Sequence, residues 1–493
     1  MAVEVTGARV AVIGAGLAGL VTAKVLRDDG FDVVVFEKES AVGGVWIESR
    51  TYPGLRTNNS RDTYAFSDHP YSRSADMFPT AAQVREYLAS YVRRFHLEPH
   101  LRLAAEVVEL SRQGPVFEVE VRRGSDVTTW LFDFVVVCTG VFSEPHVPEI
   151  EGMRWFVGRL LHSSQATDPA LFAGQRVVVV GAGKSALDLA AWAATHASTC
   201  TLVFREPHWM IPRYLLGRIP SDRLLTTRAN EAIFRYHRLN RTEQFLHGPG
   251  RGLTQLILRV VSRLIRLHLG MPAAMVPDKP LPGGIENIGV APEFYRLARG
   301  GRVLMRRNNI AAFQESNALL LADGDRIHAD VVIFATGWRQ SLPFLAPELE
   351  GAVLRDGHFQ LYRRILPPTE HRLGFVGYAS SPACQLTAEI SAHWLSQSFR
   401  GELALPNVDQ MQAEILRVRA WLTDVLPASP QGYLLGPFLA HHIDELVADM
   451  GLRVRRTRNL MTEYLAPMLP ARYSGVAEER RRRRSATSWV PPQ

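Results

Sequence analysis

Two stretches of the chain share one pattern of apolar and polar positions. In residues 9–39, a short apolar run, a glycine-rich turn, a segment of helical length and a second apolar run follow one another. Residues 176–206 repeat this order. Short apolar strands on either side of a helix are typical of a βαβ unit with parallel strands. The pattern therefore predicts two α/β units, one at the N-terminus and one in the middle of the chain.

Each unit has a distant companion segment made of an Asp, an apolar run and Thr-Gly. These segments are DFVVVCTG at 133–140 and DVVIFATG at 330–337. The second companion lies farther from its unit than the first does, so we expect an insert at about residues 215–290. The predicted fold class is α/β, with two Rossmann-like dinucleotide-binding domains and a helical insert in the second.

The first glycine-rich turn has the spacing of a dinucleotide-binding fingerprint. Gly14 allows the tight turn, Gly16 lets the backbone approach a pyrophosphate, and Gly19 permits close packing of helix on strand. Glu37 ends the second strand, where an acid accepts hydrogen bonds from a ribose. An acid there also repels a ribose 2′-phosphate. The first site is therefore expected to bind FAD or NAD.

The second turn repeats the fingerprint with Gly181, Gly183 and Ala186. Its second strand ends in Arg205, at the position that corresponds to Glu37. An arginine attracts a 2′-phosphate because the guanidinium pairs with its oxygens. The reversal of charge predicts that the second site binds NADPH.

Two nucleotide sites of opposite charge preference imply an electron carrier on each, and a flavin that takes hydride from NADPH is the economical arrangement. We assign residues 1–170 and 330–493 to the FAD-binding domain and residues 171–329 to the NADPH-binding domain. A disulfide reductase would need a proximal dithiol, which the spacing of the chain's three cysteines does not supply. The alternative acceptor for the electrons of the reduced flavin is dioxygen.

The composition of the chain narrows the possible classes of protein further. The chain has 493 residues, of which 46% are hydrophobic and 21% charged, enough for two or three globular domains. Its net charge of +7 comes with only 4 lysines against 52 arginines, which indicates a compositional bias of the gene, and we expect no nucleic-acid partner. No apolar run reaches the ~20 residues of a membrane span, and the N-terminus resembles no leader. A cytoplasmic protein is expected.

Two arginine-rich segments stand out. In residues 251–270, arginines recur at helical spacing opposite leucine, isoleucine and valine, which predicts a basic amphipathic helix. Such a helix fits the outer face of a globular domain, and it also fits a weak contact with a membrane surface. The segment 476–493 contains five consecutive arginines and is predicted to be a solvated, flexible tail.

Six stretches of the chain resemble class B flavin-dependent monooxygenases, and within them most of all the flavin-containing monooxygenases. The similarity covers roughly residues 8–215 and 325–395. The stretches are GAGLAG (14–19), EKESAVGGVW (37–46), TNNSRDTYAFSDHP (57–70), FVGRLLH (156–162), GAGKSALD (181–188) and FATGW (334–338).

The resemblance implies an NADPH- and O2-dependent enzyme that oxygenates a small-molecule amine nitrogen or sulfur through a C4a-hydroperoxyflavin, with FAD as the flavin and no metal. Two alternatives stay open: Baeyer-Villiger oxygenation of a ketone, and a non-oxygenating NADPH/FAD redox-sensing protein. Ala166 stands where the family motif carries an aromatic residue, or Trp in the Baeyer-Villiger branch, which counts somewhat against that branch. The substrate and the oligomeric state are not determined, although a homo-oligomer is expected.

The resemblance also assigns roles to residues. His162 is implied to order the linker between the two domains. Asn58, rather than Asn59, falls on the family's active-site asparagine, a carboxamide that offers a donor and an acceptor without charge. The alternative that both asparagines merely cap a turn stays open. The expected cofactor-binding residues are Gly14, Gly16, Gly19, Glu37, Lys38, Gly44, Val45, Trp46, Thr57, Val107, Gly181, Gly183, Lys184, Ser185, Arg205 and Gln385.

Overall fold

The computed structural model describes residues 7–279, 281, 287–290, 293–425 and 435–488. The strands are β1 Arg9–Ile13, β2 Asp32–Phe36, β3 Leu101–Arg102, β4 Glu106–Gln113, β5 Val116–Arg123, β6 Asp126–Phe132, β7 Phe134–Val137, β8 Glu144–Pro145, β9 Arg159–His162, β10 Arg176–Val180, β11 Thr199–Phe204, β12 Met210–Pro212, β13 Tyr214–Leu215, β14 Ile219–Pro220, β15 Asn287–Val290, β16 Leu304–Arg307, β17 Ile310–Gln314, β18 Ala318–Leu321, β19 Arg326–His328, β20 Val331–Phe334, β21 Trp338–Arg339, β22 Leu354–Arg355, β23 His358–Phe359 and β24 Leu373–Phe375. The α-helices are α1 Leu17–Asp28, α2 Ala81–Arg94, α3 Lys184–His196, α4 Asp222–Leu225, α5 Arg228–Glu231, α6 Arg241–His247, α7 Arg251–Leu269, α8 Glu293–Arg299, α9 Pro347–Val353, α10 Cys384–Phe399, α11 Val408–Val425, α12 Leu439–Asp449, α13 Leu460–Leu465 and α14 Val476–Ser488.

The first sheet contains five parallel strands in the order β24-β7-β1-β2-β3. In the central strand, Val12 pairs with Val35 on one side and with Val136 on the other, and all three are fully buried. Helices α1 and α10 pack against each other as part of the cover on one face. A parallel sheet covered on both faces explains why these strands are continuous apolar runs.

The second sheet repeats the first, with the order β16-β11-β10-β20-β9 and parallel pairing throughout. Strand β10 corresponds to β1, β11 to β2, β16 to β3 and β20 to β7. Each half also carries a three-stranded antiparallel sheet, β4-β5-β6 in the first and β17-β18-β19 in the second. The predicted α/β fold with two Rossmann-like units is confirmed.

The second sheet extends beyond the domain boundaries predicted at residues 171 and 329. Strand β9, from the segment before residue 171, forms the edge of the second sheet beside β20. Strand β20 itself lies after residue 329. The reason is that the last parallel strand of the second unit precedes the Thr-Gly turn, so the second unit must extend through that turn. The second sheet therefore begins before residue 171 and continues past residue 329.

The insert is largely helical, with α4 to α7 between residues 222 and 269, although residues 280 and 282–286 lie outside the described part. It packs against the C-terminal helices through ion pairs. Arg228 pairs with Asp444, and His441 lies 2.5 Å from Glu231 and 2.9 Å from Glu243. Although burial opposes it, the two glutamates raise the pKa of His441 to about 10. The contacts join the insert to the C-terminal part of the chain.

Helix α7 buries a different face from the one that its leucine pattern suggested. The buried positions are Thr254, Leu258, Ser262 and Leu269. An apolar stripe stays exposed, each of its members at least 49% accessible: Leu253, Leu256, Val260, Leu264 and Leu267. Among the described residues, no helix is both long and apolar enough to cross a bilayer.

The prediction of a flexible arginine-rich tail is wrong for residues 476–488, which form α14. Arg480 is only 2% exposed, and its guanidinium contacts Asp29 Oδ2 at 2.8 Å and His393 Nδ1 at 2.8 Å. Arg484, one helical turn later, reaches Asp29 and Glu402. These acids neutralise the arginines that face the core, which turns a basic run into a docked helix. Residues 489–493 lie outside the described residues.

Candidate active site

The first glycine-rich turn forms a tight cradle at the carboxyl edge of the first sheet. The Gly14 N–H donates to the carbonyl of Phe36 at 2.7 Å, and Gly14 has a φ of +106°. A Cβ built on Gly19 would lie 1.8 Å from the Gly14 carbonyl oxygen. The turn therefore requires glycine at both positions.

A second glycine pair faces this cradle. Gly44 has a φ of +59°, and a Cβ added to it would lie 3.1 Å from the Gly16 Cα. Gly16 is also the N-cap of α1 and offers no side chain to its first N–H groups. Bare backbone on both sides and an uncapped helix start fit the pyrophosphate of a dinucleotide.

Glu37 is held at the end of β2. Its Oε2 accepts from the Ala15 N–H at 2.7 Å and its Oε1 from the Glu39 N–H at 3.0 Å, while the residue is 7% exposed. These bonds orient the carboxylate beside the cradle, as a ribose-binding acid requires. Lys38 is exposed, and Val107 packs in an apolar cluster with Phe36.

Trp46 and Val45 follow the second glycine pair. Trp46 is 8% exposed, and its Nε1 donates to Tyr64 Oη at 3.1 Å, with the two rings near perpendicular. Val45 is half-buried against the same core. Trp46 therefore packs as a core residue and also ties the cradle to the segment that contains Asn58.

The two adjacent asparagines have different environments. Asn59 is 1% exposed, its Nδ2 donates to Thr63 Oγ1 at 3.4 Å, and its carbonyl accepts from Thr57 Oγ1 at 2.8 Å. Asn58 is half-buried, and its Oδ1 is buried without a hydrogen-bond partner in the described part of the chain. A buried acceptor without a partner is unfavourable unless a ligand or water supplies a donor. Asn59 thus stabilises the loop by its own hydrogen bonds, whereas Asn58 Oδ1 can still accept a hydrogen bond from a ligand.

Asp222 of the insert holds this loop, and sequence reasoning missed it. Its Oδ2 accepts from the Ser60 N–H at 3.0 Å and from Ser60 Oγ at 2.6 Å, and also from Thr63 Oγ1. Arg213 Nε donates to the Thr57 carbonyl at 3.3 Å. More than 150 residues separate Asp222 from Ser60, and no motif links them. The insert therefore positions the asparagine loop directly.

The second glycine-rich turn has the same geometry with one looser position. The Gly181 N–H donates to the Val203 carbonyl at 2.9 Å, and a Cβ on Gly181 would lie 2.5 Å from the Ala335 carbonyl oxygen. Gly183 is the N-cap of α3. Ala186, fully buried, occupies the position of Gly19. This turn therefore has room for the methyl group that the first turn excludes.

Lys184 and Ser185 begin α3. The Lys184 ammonium pairs with Asp188 and lies 3.4 Å from Tyr52 Oη, and the Tyr52 hydroxyl donates to Asp188 Oδ2 at 3.0 Å. Lys184 is 8% exposed, and burial lowers its pKa. The ammonium is thus already neutralised by Asp188, and a contact with NADP stays a prediction.

Arg205 is exposed just after β11, at the position equivalent to Glu37 after β2. Burial lowers the pKa of His146, and the positive charges of Arg339 and Arg205 lower it further. This effect indicates a positive field at the carboxyl edge of the second sheet, as a 2′-phosphate would need.

Gln385 lies in the first turn of α10 and is 1% exposed. Its Oε1 accepts from the Cys384 thiol at 3.3 Å. Burial raises the pKa of that thiol to about 11, so it is not a thiolate at neutral pH. The helix that carries Gln385 follows β24, the edge strand of the first sheet.

His162 connects the linker to the second Thr-Gly turn. Its Nε2 lies 3.0 Å from the Gly337 carbonyl, and its ring meets the Trp338 ring edge-on at 4.9 Å. Burial lowers the pKa of His162, so the neutral ring donates from Nε2. Ala166 is fully buried nearby in sequence, where an aromatic side chain would need neighbouring groups to move.

Two parallel sheets, each with a glycine cradle and with an acid after one strand and an arginine after its counterpart, define an oxidoreductase with two dinucleotide sites. The chain belongs to the flavin-binding monooxygenase-like family, whose model matches residues 7–242 and 296–458. This membership confirms the class of a flavoprotein monooxygenase with FAD and NADPH as cofactors. The unmatched stretch between the two segments contains α7.

Named relatives agree with this family. A probable flavin-containing monooxygenase 1 of Arabidopsis thaliana is 30% identical over 94% of this chain and 96% of its own length. The solved S-allyl-L-cysteine S-oxygenase of Allium sativum is 22% identical with a TM-score of 0.64, covering 97% of this chain and 94% of that one. A complex of OTEMO with FAD and NADP is 18% identical with a TM-score of 0.67, covering 87% and 92%. At these identities, the two solved structures bear on the fold.

Proposed function

We propose that this monooxygenase oxygenates an amine nitrogen or a sulfur atom of a small molecule, with NADPH and O2 as co-substrates. The observation that carries the proposal is Asn58 Oδ1, which has no hydrogen-bond partner among the residues that the structure describes and lies on a loop tied to the cofactor cradle through Tyr64 and Trp46. Ala166, which stands where the Baeyer-Villiger branch carries Trp and is fully buried, counts against that branch.

Different residues of the chain hold FAD, NADPH and the oxygen site. When bound, FAD accepts electrons from NADPH and activates dioxygen. Glu37 orients the ribose of FAD, and Arg205 pairs with the 2′-phosphate of NADPH. Asn58 holds the nicotinamide cofactor and the oxygen site by hydrogen bonds without supplying a proton, since a carboxamide does not ionise. Asp222 keeps the loop in place from the insert.

Exclusion of water is the other task of the chain. Trp46 and Tyr64 are each 8% exposed, and Tyr64 Oη accepts from Trp46 Nε1, so both polar groups are satisfied internally. Burial raises the pKa of Tyr64 far above its usual range. The Trp46–Tyr64 pair therefore carries no readily released proton, which favours transfer of oxygen to substrate over release as hydrogen peroxide.

Asn58→Ala tests the role of the carboxamide. The variant should fold, bind FAD and be reduced by NADPH, yet release hydrogen peroxide in place of about 90% or more of the product, because general hydrogen-bond support of this kind contributes 10- to 100-fold. The measurement is the ratio of oxygenated product to NADPH consumed.

Asn59→Ala is the matched control. Its amide bonds within the loop, so the variant should lose stability but keep most of its coupling. Equal coupling in Asn58→Ala and the unaltered enzyme would contradict the proposed role.

The exposed face of α7 supports a weak contact with anionic membrane surfaces. Arg259, Arg263 and Arg266 flank its apolar stripe, so the face combines leucines with positive charge. Binding to vesicles that contain phosphatidylserine should be lost when Leu264 and Leu267 are both changed to serine, and should weaken in high salt. Equal sedimentation of the variant and the unaltered protein with these vesicles would reject the contact. A cytoplasmic location and a homo-oligomeric state stay predictions.

A further inference from the structure

A small cavity lies between helices α11 and α12 and the chain segment that follows β23. Its volume is about 50 Å³, enough for a few water molecules or one compact ligand. Polar and apolar side chains share its wall. The lining residues used below are Arg363, Arg364, His442, Glu445 and Tyr378.

The two adjacent arginines of this wall have opposite environments. Arg363 is fully engaged: its Nε lies 2.8 Å from Asp449 Oδ2, and its Nη1 lies 2.5 Å from Glu414 and 2.9 Å from Glu445. Its Nη2 donates to Asp449 Oδ1 at 3.0 Å. Arg363 therefore joins α11 to α12 and donates four of its five N–H groups to these acids.

Arg364 is 8% exposed, and its Nε and Nη2 are buried without a hydrogen-bond partner among the described residues. These two nitrogens form the edge of the guanidinium whose parallel N–H groups match the two oxygens of a carboxylate. Burial lowers the pKa of Arg364, but a guanidinium keeps its charge in proteins. The charges of Glu445 and Glu414 act on Arg364 from a distance, but no acid among the described residues bonds its Nε or Nη2, so these two N–H groups remain available to an anion.

His442 adds a second unpartnered group. It is fully buried, and neither ring nitrogen has a hydrogen-bond partner in the described ranges. Burial and the nearby charges of Arg364 and Arg363 hold the pKa of His442 well below its usual range. The neutral ring therefore has one N–H to donate into the cavity without adding charge.

The backbone here is strained. Arg363 has a φ of +55° and Arg364 a φ of +59°, in the left-handed region that glycine occupies most easily. Such a conformation is unfavourable for any residue with a side chain. Arginine thus stands at a position where glycine would be more stable, which is typical of binding sites.

We propose that this cavity binds a compact carboxylate, with Arg364 engaging both oxygens and His442 donating to one of them. The carboxylate could belong to the substrate or to a free anion, and the recognition chemistry is the same. Tyr378 links the cavity to the cofactor edge, since its Oη lies 3.0 Å from Thr139 Oγ1 in the first Thr-Gly turn. The substrate alternative rests on the proposed oxygenation, whereas binding itself does not.

Calorimetric titration of the FAD-loaded enzyme with acetate, and with acetamide as the neutral isostere, tests binding. Acetate should bind and acetamide should not. Arg364→Gly should relieve the backbone strain and fold, yet bind acetate about 10- to 150-fold more weakly, as the loss of a charge-assisted pair predicts. The affinity of Arg364→Lys for acetate should lie between those of the unaltered enzyme and Arg364→Gly, because lysine keeps the charge without the paired N–H groups.

Ser316→Gly is the matched control, since Ser316 also has a positive φ, of +62°, but lies in the β17–β18 hairpin. It should bind acetate as the unaltered enzyme does. Absence of acetate binding to the unaltered enzyme, or equal binding by Arg364→Gly, would show that the cavity holds only water and would overturn the proposal.

Turnover separates the two sources of the carboxylate. If it belongs to the substrate, (methylthio)acetate should be oxygenated in preference to its amide, acetate should compete with it, and Arg364→Gly should raise its KM about 10-fold or more. If a free anion binds, acetate should bind without competing. Acetate binding that depends on Arg364, with no oxygenated product from any sulfide or amine, would retain the site and reject the proposed function.

Discussion

The two glycine-rich turns share one geometry but differ in tightness and in charge. The first excludes any side chain at Gly19 and places a buried carboxylate, Glu37, at the end of the next strand. The second accommodates Ala186 and ends in the exposed Arg205. A buried, internally bonded acid suits a cofactor that stays bound, whereas an exposed arginine suits one that must enter and leave. The repeat thus supplies the scaffold, and two side chains supply the cofactor preference.

Gly19→Ala gives the largest expected difference between the turns. Its methyl group would lie 1.8 Å from the Gly14 carbonyl oxygen, so the strand and helix must separate. The free energy of unfolding should fall by about 3 kcal/mol or more, measured by chemical denaturation. The reciprocal change, Ala186→Gly, should lower it by only about 1 kcal/mol. Similar losses in the two variants would contradict the difference in tightness.

Glu37→Gln tests the acid of the first turn. Replacing the carboxylate with an amide leaves the size unchanged but weakens the hydrogen bonds to the ribose, so FAD should bind about 100-fold more weakly in equilibrium dialysis. Glu39→Gln, two residues away, should retain FAD. Full retention of FAD by Glu37→Gln would show that the carboxylate has another role.

Arg205→Ala tests the second turn. A charge-assisted contact with the 2′-phosphate should contribute about 1.5 to 3 kcal/mol, and hence a preference of about 10- to 150-fold for NADPH over NADH. The variant should lose most of this preference in kcat/KM measured with each nicotinamide. Equal use of NADPH and NADH by the unaltered enzyme would contradict the assignment of Arg205 to the 2′-phosphate.

The strands and helices that could be predicted from the sequence are those that have a local pattern of apolar and glycine residues. The βαβ unit expected within residues 9–39 is observed as β1, α1 and β2, and the unit expected within residues 176–206 is observed as β10, α3 and β11. The charge reversal between Glu37 and Arg205 could also be predicted, because each directly follows the second strand of its unit. Periodicity and spacing are properties of neighbouring residues, which is why these predictions succeeded.

Contacts between distant segments were not readable. Nothing in the sequence joins Asp222 to Ser60, or Asp29 to Arg480, because such pairs depend on how the chain is folded. The buried face of α7 was not predictable for a related reason, since several neighbouring faces of that helix carry apolar residues and packing decided which one is covered. Likewise, the Arg364 donors without a hydrogen-bond partner in the described part of the chain can be found only once the folded chain shows that Arg363 binds the nearby acids.

The most direct test of the central claim is product mass from isotopically labelled dioxygen. The enzyme with FAD and NADPH is incubated separately with a sulfide, methyl phenyl sulfide, a tertiary amine, N,N-dimethylaniline, and a ketone, cyclohexanone. The account predicts a sulfoxide or an N-oxide carrying one labelled oxygen, formed in proportion to the NADPH consumed. A labelled lactone from the ketone alone would establish the Baeyer-Villiger reaction, and NADPH consumption that yields only hydrogen peroxide with every compound would contradict oxygenation of these substrates.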